Sequence, residues 1–135
     1  MSKSAICTVN SSTQNVAVDG LINPGTVIRR FGPNLNLVGE GIQLCGAGYY
    51  NISANFNVAP TTEGEVTITA YLDNVPIPGA IATETAAAAG DTINLSISSL
   101  VRQKCECCSG ISSLTFVLTG TASEITNNTI IVQKL

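Results

Sequence analysis

Residues 48–79 read GYYNISANFNVAPTTEGEVTITAYLDNVPIPG, and their alternation decides the fold of the whole chain. In the first half Tyr50, Ile52, Ala54, Phe56 and Val58 share one side, against Tyr49, Asn51, Ser53, Asn55 and Asn57 on the other. In the second half Val66, Ile68, Ala70 and Leu72 oppose Glu65, Thr67, Thr69 and Tyr71. Successive side chains of an extended strand point to opposite faces, so a sustained period of two predicts strands with one buried and one wet face. Asp73-Asn74 tolerates positive φ and predicts a two-residue hairpin. In Val75-Pro76-Ile77-Pro78-Gly79 the two prolines cannot donate ladder hydrogen bonds, which places this run at a sheet edge or has it leave the sheet early.

The same pattern extends outward in both directions. Upstream, Ala5–Val9, Asn15–Val18 and Thr26–Phe31 read as short strands separated by turn compositions such as Asn10-Ser-Ser-Thr and Asn23-Pro24-Gly25. Leu35/Leu37 and Ile42/Leu44 flank a bend at Gly39-Glu40-Gly41. Downstream, IATETAAAAG (81–90) reads as strand or irregular loop, and Thr92–Val101 alternates with Ile93, Leu95 and Ile97 inside. Residues 102–110 read as a loop; Leu114, Phe116 and Leu118 mark a strand that ends at Gly120, and Thr129–Lys134 closes the chain. No helix of ten residues is predicted. Eight to ten short strands divided by Gly, Pro and Asn turns predict an all-β, antiparallel jelly-roll sandwich.

Length and composition set limits on function. A chain of 135 residues is one domain by size. Only 11% of its residues are charged, well under the roughly 25% typical of soluble domains, and Asn, Ser and Thr carry the polarity instead. So little charge leaves little to keep copies apart, and part of the surface is expected to be covered by neighbours. The net charge of −3 argues against nucleic acid, which wants a basic patch; Arg29-Arg30 is too small for one. No apolar run approaches the roughly 18 residues of a membrane span. The start, MSKSAICTVNSS, lacks an apolar core and a cleavage site for secretion, so synthesis in a cytoplasm is expected.

The residues offer little for catalysis. There is no histidine, which removes the commonest general base and its Ser and Cys partnerships. The acids Asp19, Glu40, Glu63, Glu65, Asp73, Glu84, Asp91, Glu106 and Glu124 fall mostly in turns and read as solvated carboxylates. No phosphate-binding glycine loop or calcium loop occurs. The chain reads as no enzyme and as needing no cofactor. Cysteine is the one local oddity. Cys105 and Cys108 have the spacing of half a zinc thiolate site. Alternatively Cys105, Cys107 or Cys108 forms a disulfide with Cys7 or Cys45 outside the cell, or all five remain reduced thiols, with Cys7 and Cys45 as small buried hydrophobes.

Three segments resemble a known family. Gly48-Tyr49-Tyr50-Asn51-Ile52 is one; Thr67 to Gly79, with its Asn74-x-Pro76-x-Pro78-Gly79 turn, is the second; Leu114–Gly120 with Ile130–Leu135 is the third. Together, over roughly residues 40–135, they resemble the C1q/tumour-necrosis-factor-like jelly rolls of bacteria and phages, including the collagen-like glycoprotein heads of Bacillus exosporium. Those heads follow a Gly-X-Y stalk, which this chain lacks. A stalkless version is similar to small structural proteins of Firmicutes phages. The resemblance implies a compact homotrimer serving as a capsid decoration or head-fibre subunit on the virion surface, touching the major capsid protein or another virion protein. The alternative it leaves open is a spore- or cell-surface binding module. Residues 1–135 would form a single jelly roll, with 1–20 as a docking arm. Tyr49 and Tyr71, outward-facing among so few charges, are the expected subunit contacts.

Overall fold

A computed structural model of the chain describes residues 3–103 and 111–135. Eleven strands form: β1 (Ser4–Asn10), β2 (Gln14–Val16), β3 (Thr26–Phe31), β4 (Leu35–Val38), β5 (Gly41–Cys45), β6 (Gly48–Pro60), β7 (Gly64–Leu72), β8 (Val75–Ala86), β9 (Ile93–Gln103), β10 (Ile111–Thr119) and β11 (Ser123–Lys134). Among the described residues there is no helix. Sheet A has the order β3-β1-β11-β6-β9, with β2 also on β11; sheet B has the order β4-β5-β10-β7-β8. Each of these strand pairs is antiparallel. The architecture is the expected jelly-roll sandwich.

The alternation of residues 48–72 translates directly into packing. Tyr50, Ile52, Ala54, Phe56 and Val58 of β6 are fully buried, as are Val66, Ile68 and Ala70 of β7. They meet Leu114, Phe116 and Leu118 of β10 and Ile125, Ile130 and Val132 of β11 in one core. A register shift between Ile125 and Asn127 lets β11 keep its apolar residues inward on both sides of the irregularity. Asp73 and Asn74 turn with φ of 53° and 66°, so the β7–β8 hairpin has the predicted positive-φ loop. The Asp73 Oδ1 carboxylate oxygen also accepts the Ser113 N–H at 2.9 Å, pinning the turn to β10.

Several strand limits differ from the sequence expectation. The described residues form eleven strands, where about eight to ten were expected. β8 runs on from the proline stretch to Ala86, because as the edge strand of sheet B it offers its prolines no ladder partner on the open side. β9 continues to Gln103 and β11 begins at Ser123. The connector between β2 and β3 crosses to sheet B: Leu21 bridges Val117, the Ile22 N–H donates to the Phe116 carbonyl at 2.9 Å, and the Leu118 N–H donates to the Gly20 carbonyl at 3.0 Å. Ile22 is fully buried there. Within residues 1–20, the expected docking arm, residues 4–16 supply β1 and β2 of sheet A, with β1 lying between β3 and β11.

Candidate interaction surface

The outward face of sheet A is the candidate functional surface, and register lets it be written in rows. One row runs Phe31, Ala5, Gln133, Asn51, Leu100. The next is Arg29, Cys7, Ile131, Ser53, Ser98. Further along come Thr129, Asn55, Ser96 and then Asn127, Asn57, Asn94. Beyond the first row, the Leu135 N–H donates to the Tyr49 carbonyl at 2.9 Å, and Arg102 stands opposite Tyr49 in the ladder. The charges on this face are few: Arg29 on β3, Arg102 at one corner of β9, and Glu124 near the start of β11.

The two ends of this face differ in chemistry. At one end Phe31, Leu135, Leu100 and Tyr49 are 60%, 62%, 55% and 49% exposed. Tyr49 there carries the Arg102 guanidinium 5.9 Å above its ring, a cation–π contact. A recess of about 380 Å³ opens beside Phe31, lined also by Lys3, Ser4, Ala5, Gln133 and Leu135. A second groove, of about 510 Å³, lies where Leu100 meets Val75, Pro76, Ile77 and Pro78 of β8. At the other end amides dominate. Asn94 Nδ2 donates to Asn57 Oδ1 at 2.9 Å, and the Ser96 hydroxyl donates to Asn55 Oδ1 at 2.6 Å. Neutral side chains whose polar atoms bond one another can be covered without stranding a charge.

The named candidates fall in different places. Tyr49 belongs to this face, but Tyr71 projects from the outward side of sheet B, opposite Thr115 and beside Thr69, and is half-buried. The two tyrosines therefore do not share one patch. Cys7 and Cys45 are both free, Cys7 on the outward face of β1 and Cys45 at the end of β5, where it pairs with Ile111. They lie in different sheets and are not joined to each other. Both are half-buried rather than core residues, because their strands alternate with Ile6 and Thr8, and with Ile42 and Leu44, pointing inward. Cys105, Cys107 and Cys108, and with them the zinc and loop-disulfide readings, lie outside the described residues, as does Glu106. Among the described residues no three Cys, Asp or Glu side chains gather as metal ligands. Asp19, Glu40, Glu63, Glu65, Asp73, Glu84, Asp91 and Glu124 are all exposed. No helix among the described residues is long and apolar enough to cross a membrane.

Sequence reasoning missed Phe31, Leu100, Ile131 and Leu135. The signal for two of them was present. Asn94, Ser96 and Ser98 make a polar outward row that Leu100 breaks, and Thr129 and Gln133 bracket Ile131 in the same way. β3 hid its exposure, since all six of its residues are exposed and alternation carries no information there.

The tie at the start of β6 is also local chemistry. Tyr50 is buried, and its hydroxyl lies 2.9 Å from both the Cys45 and the Gly46 carbonyls, to which it donates. Burial, and secondarily the neighbouring Cys45, pushes its ionisation above the ordinary value. Asn34 closes the same corner: its Nδ2 donates to the Cys45 carbonyl at 2.6 Å and its Oδ1 accepts the Ser4 hydroxyl at 2.8 Å.

With this geometry in hand, solved structures give the fold its class. The vertex protein P5 of PRD1 matches with a TM-score of 0.65 and 18% identity, covering 98% of this chain and 96% of that one. Murine APRIL matches with a TM-score of 0.74 at 8% identity over 98% and 99% of the two chains. The globular domain of zebrafish complement C1qA matches with a TM-score of 0.67 at 7% identity over 97% and 95%. The fold is the C1q/TNF-like jelly roll. No protein-family model matches the sequence, and no curated protein matches it.

Proposed function

We propose that this protein is a non-enzymatic structural protein of a bacteriophage virion, a homotrimeric capsid decoration or head-fibre subunit. The observation that carries the reading is the outward face of sheet A: nearly uncharged, with exposed apolar groups at one end and amides at the other. Symmetric copies brought together through such a face meet little like-charge repulsion. Phe31, Leu135, Leu100 and Tyr49 supply the aromatic and aliphatic contact area that subunit interfaces use. Homotrimers are the rule in the family the sequence resembles. Likeness to a viral vertex protein of almost the same extent favours a virion over a spore or cell surface. The remaining partners are the major capsid protein or another virion protein, with docking through outward side chains of residues 1–20 and display on the virion surface after synthesis in the host cytoplasm.

Mass measurement of the purified chain at micromolar concentration tests the oligomer. The expected result is a species of three times the 13.9 kDa subunit mass; a stable monomer refutes the trimer. Antibody labelling of particles made by the source phage tests the virion: label on intact heads is expected, and particles free of the protein refute that part.

A further inference from the structure

Among the described residues, two buried side-chain oxygens inside the sandwich have no hydrogen-bond partner: Thr8 Oγ1 and Asn128 Oδ1. Thr8 is fully buried and Asn128 is 2% exposed. Both point to the core side of the β1–β11 pair, where Thr8 stands opposite Ile130 and Asn10 opposite Asn128. They are therefore diagonal neighbours on one face.

The orientation of Asn128 is fixed by its surroundings. Its Nδ2 donates to the Asn23 carbonyl at 3.1 Å, and that same oxygen also accepts Nδ2 of Asn10 at 3.3 Å and Nε2 of Gln14 at 3.0 Å. Turning the amide round would set Oδ1 against a carbonyl oxygen, two acceptors with no proton between them. Oδ1 must face away from Asn23 and needs a donor. Thr8 can donate and accept, and uses neither capacity. The two oxygens make no direct bond. Diagonal Cβ atoms across an antiparallel pair sit about 7 Å apart, and one water making two bonds of about 2.8 Å can span such neighbours.

We propose that a single internal water molecule bridges Thr8 Oγ1 and Asn128 Oδ1. It completes a polar cluster in which Asn10, Gln14 and Asn128 hold the Asn23 turn, and with it the crossing connector, against β1 and β11. The site is independent of any oligomer.

The sign of one substitution tests it. If the hydroxyl has no partner, Thr8→Val removes a desolvation penalty and the melting temperature holds or rises. With the water in place, Thr8→Val strands the water and Asn128, and the melting temperature falls by about 3–5 °C. Thr8→Ser keeps the hydroxyl and is expected to melt above Thr8→Val. A melting temperature for Thr8→Val equal to or above that of the unmodified protein overturns the proposal. Should Thr8→Val fail to fold, a high-resolution crystal structure of the unmodified chain decides: an ordered water bonded to both oxygens is expected, and a direct Thr8–Asn128 bond, or no water between them, overturns it.

Discussion

The rings of Phe56 and Phe116 meet across the sandwich with centroids 5.4 Å apart and planes inclined at 58°. Phe56 comes from sheet A and Phe116 from sheet B, and each is essentially unexposed. A tilted aromatic pair of this kind adds to the area it buries. Truncating Phe116 to Ala should cost about 3–5 kcal/mol, through lost burial and the cavity left behind. Urea denaturation of the variant beside the unmodified chain measures this, and a loss under about 1 kcal/mol would mean that the sheets do not close on this pair.

Tyr49 and Tyr71 separate the two faces of the molecule. If copies meet through sheet A, Tyr49→Lys should dissociate the assembly, because it buries a second, unpaired cation beside Arg102 among Leu135, Leu100 and Asn51. Tyr71→Glu, on the opposite side, should leave the mass in solution unchanged. Sedimentation of both variants checks this, and dissociation by Tyr71→Glu alone would move the interface to sheet B.

Cys7 reports on the same face without a change of sequence. It sits between Arg29 and Ile131 in an outward row and carries a free thiol. In an assembly that covers sheet A, its alkylation should be at least ten times slower than in the Tyr49→Lys variant. Peptide mapping after timed exposure to iodoacetamide gives the rates, and equal rates would contradict coverage of this row.

Tyr50 sets an alkaline limit on stability. Burial raises its ionisation above the ordinary 10.0, so the folded chain holds this proton more tightly than the unfolded one. Stability is then full below about pH 10 and declines as pH rises toward the folded-state value, because the unfolded state binds fewer protons there. Tyr50→Phe should flatten that decline. It should also cost about 1 kcal/mol at neutral pH, from the lost bonds to Cys45 and Gly46. Denaturation midpoints across the alkaline range measure both effects.

The fold was legible where burial is one-sided. β6 and β7 have an apolar and a polar side, and period two reads such strands without ambiguity. For β3 the β-branched run between turns gave the observed Thr26–Phe31 but no inward side, since neither side is buried, and β2 forms at Gln14–Val16 where Asn15–Val18 was expected. The passage of Leu21 and Ile22 into sheet B depends on partners nearly a hundred residues away, which no local pattern encodes. The candidate surface was half legible. Tyr49 stood out as an aromatic in an outward polar row, and Tyr71 did too. Only the pairing of strands shows that they leave the sandwich on opposite sides.

The pairing of β1 with β11 joins the first and last strands, Ser4 opposite Lys134 and Asn10 opposite Asn128. A ribosome delivers β11 long after β1 and β6 have emerged. Until then β1 and β6 both lack the neighbour that lies between them, and sheet A cannot close. Sheet A therefore closes only once β11 has emerged, and slowly, as expected where the decisive contacts are distant in sequence. Any factor that binds the unfinished chain would meet the edges of β1 and β6, and a label or fusion placed after Leu135 would sit beside the strand on which closure waits.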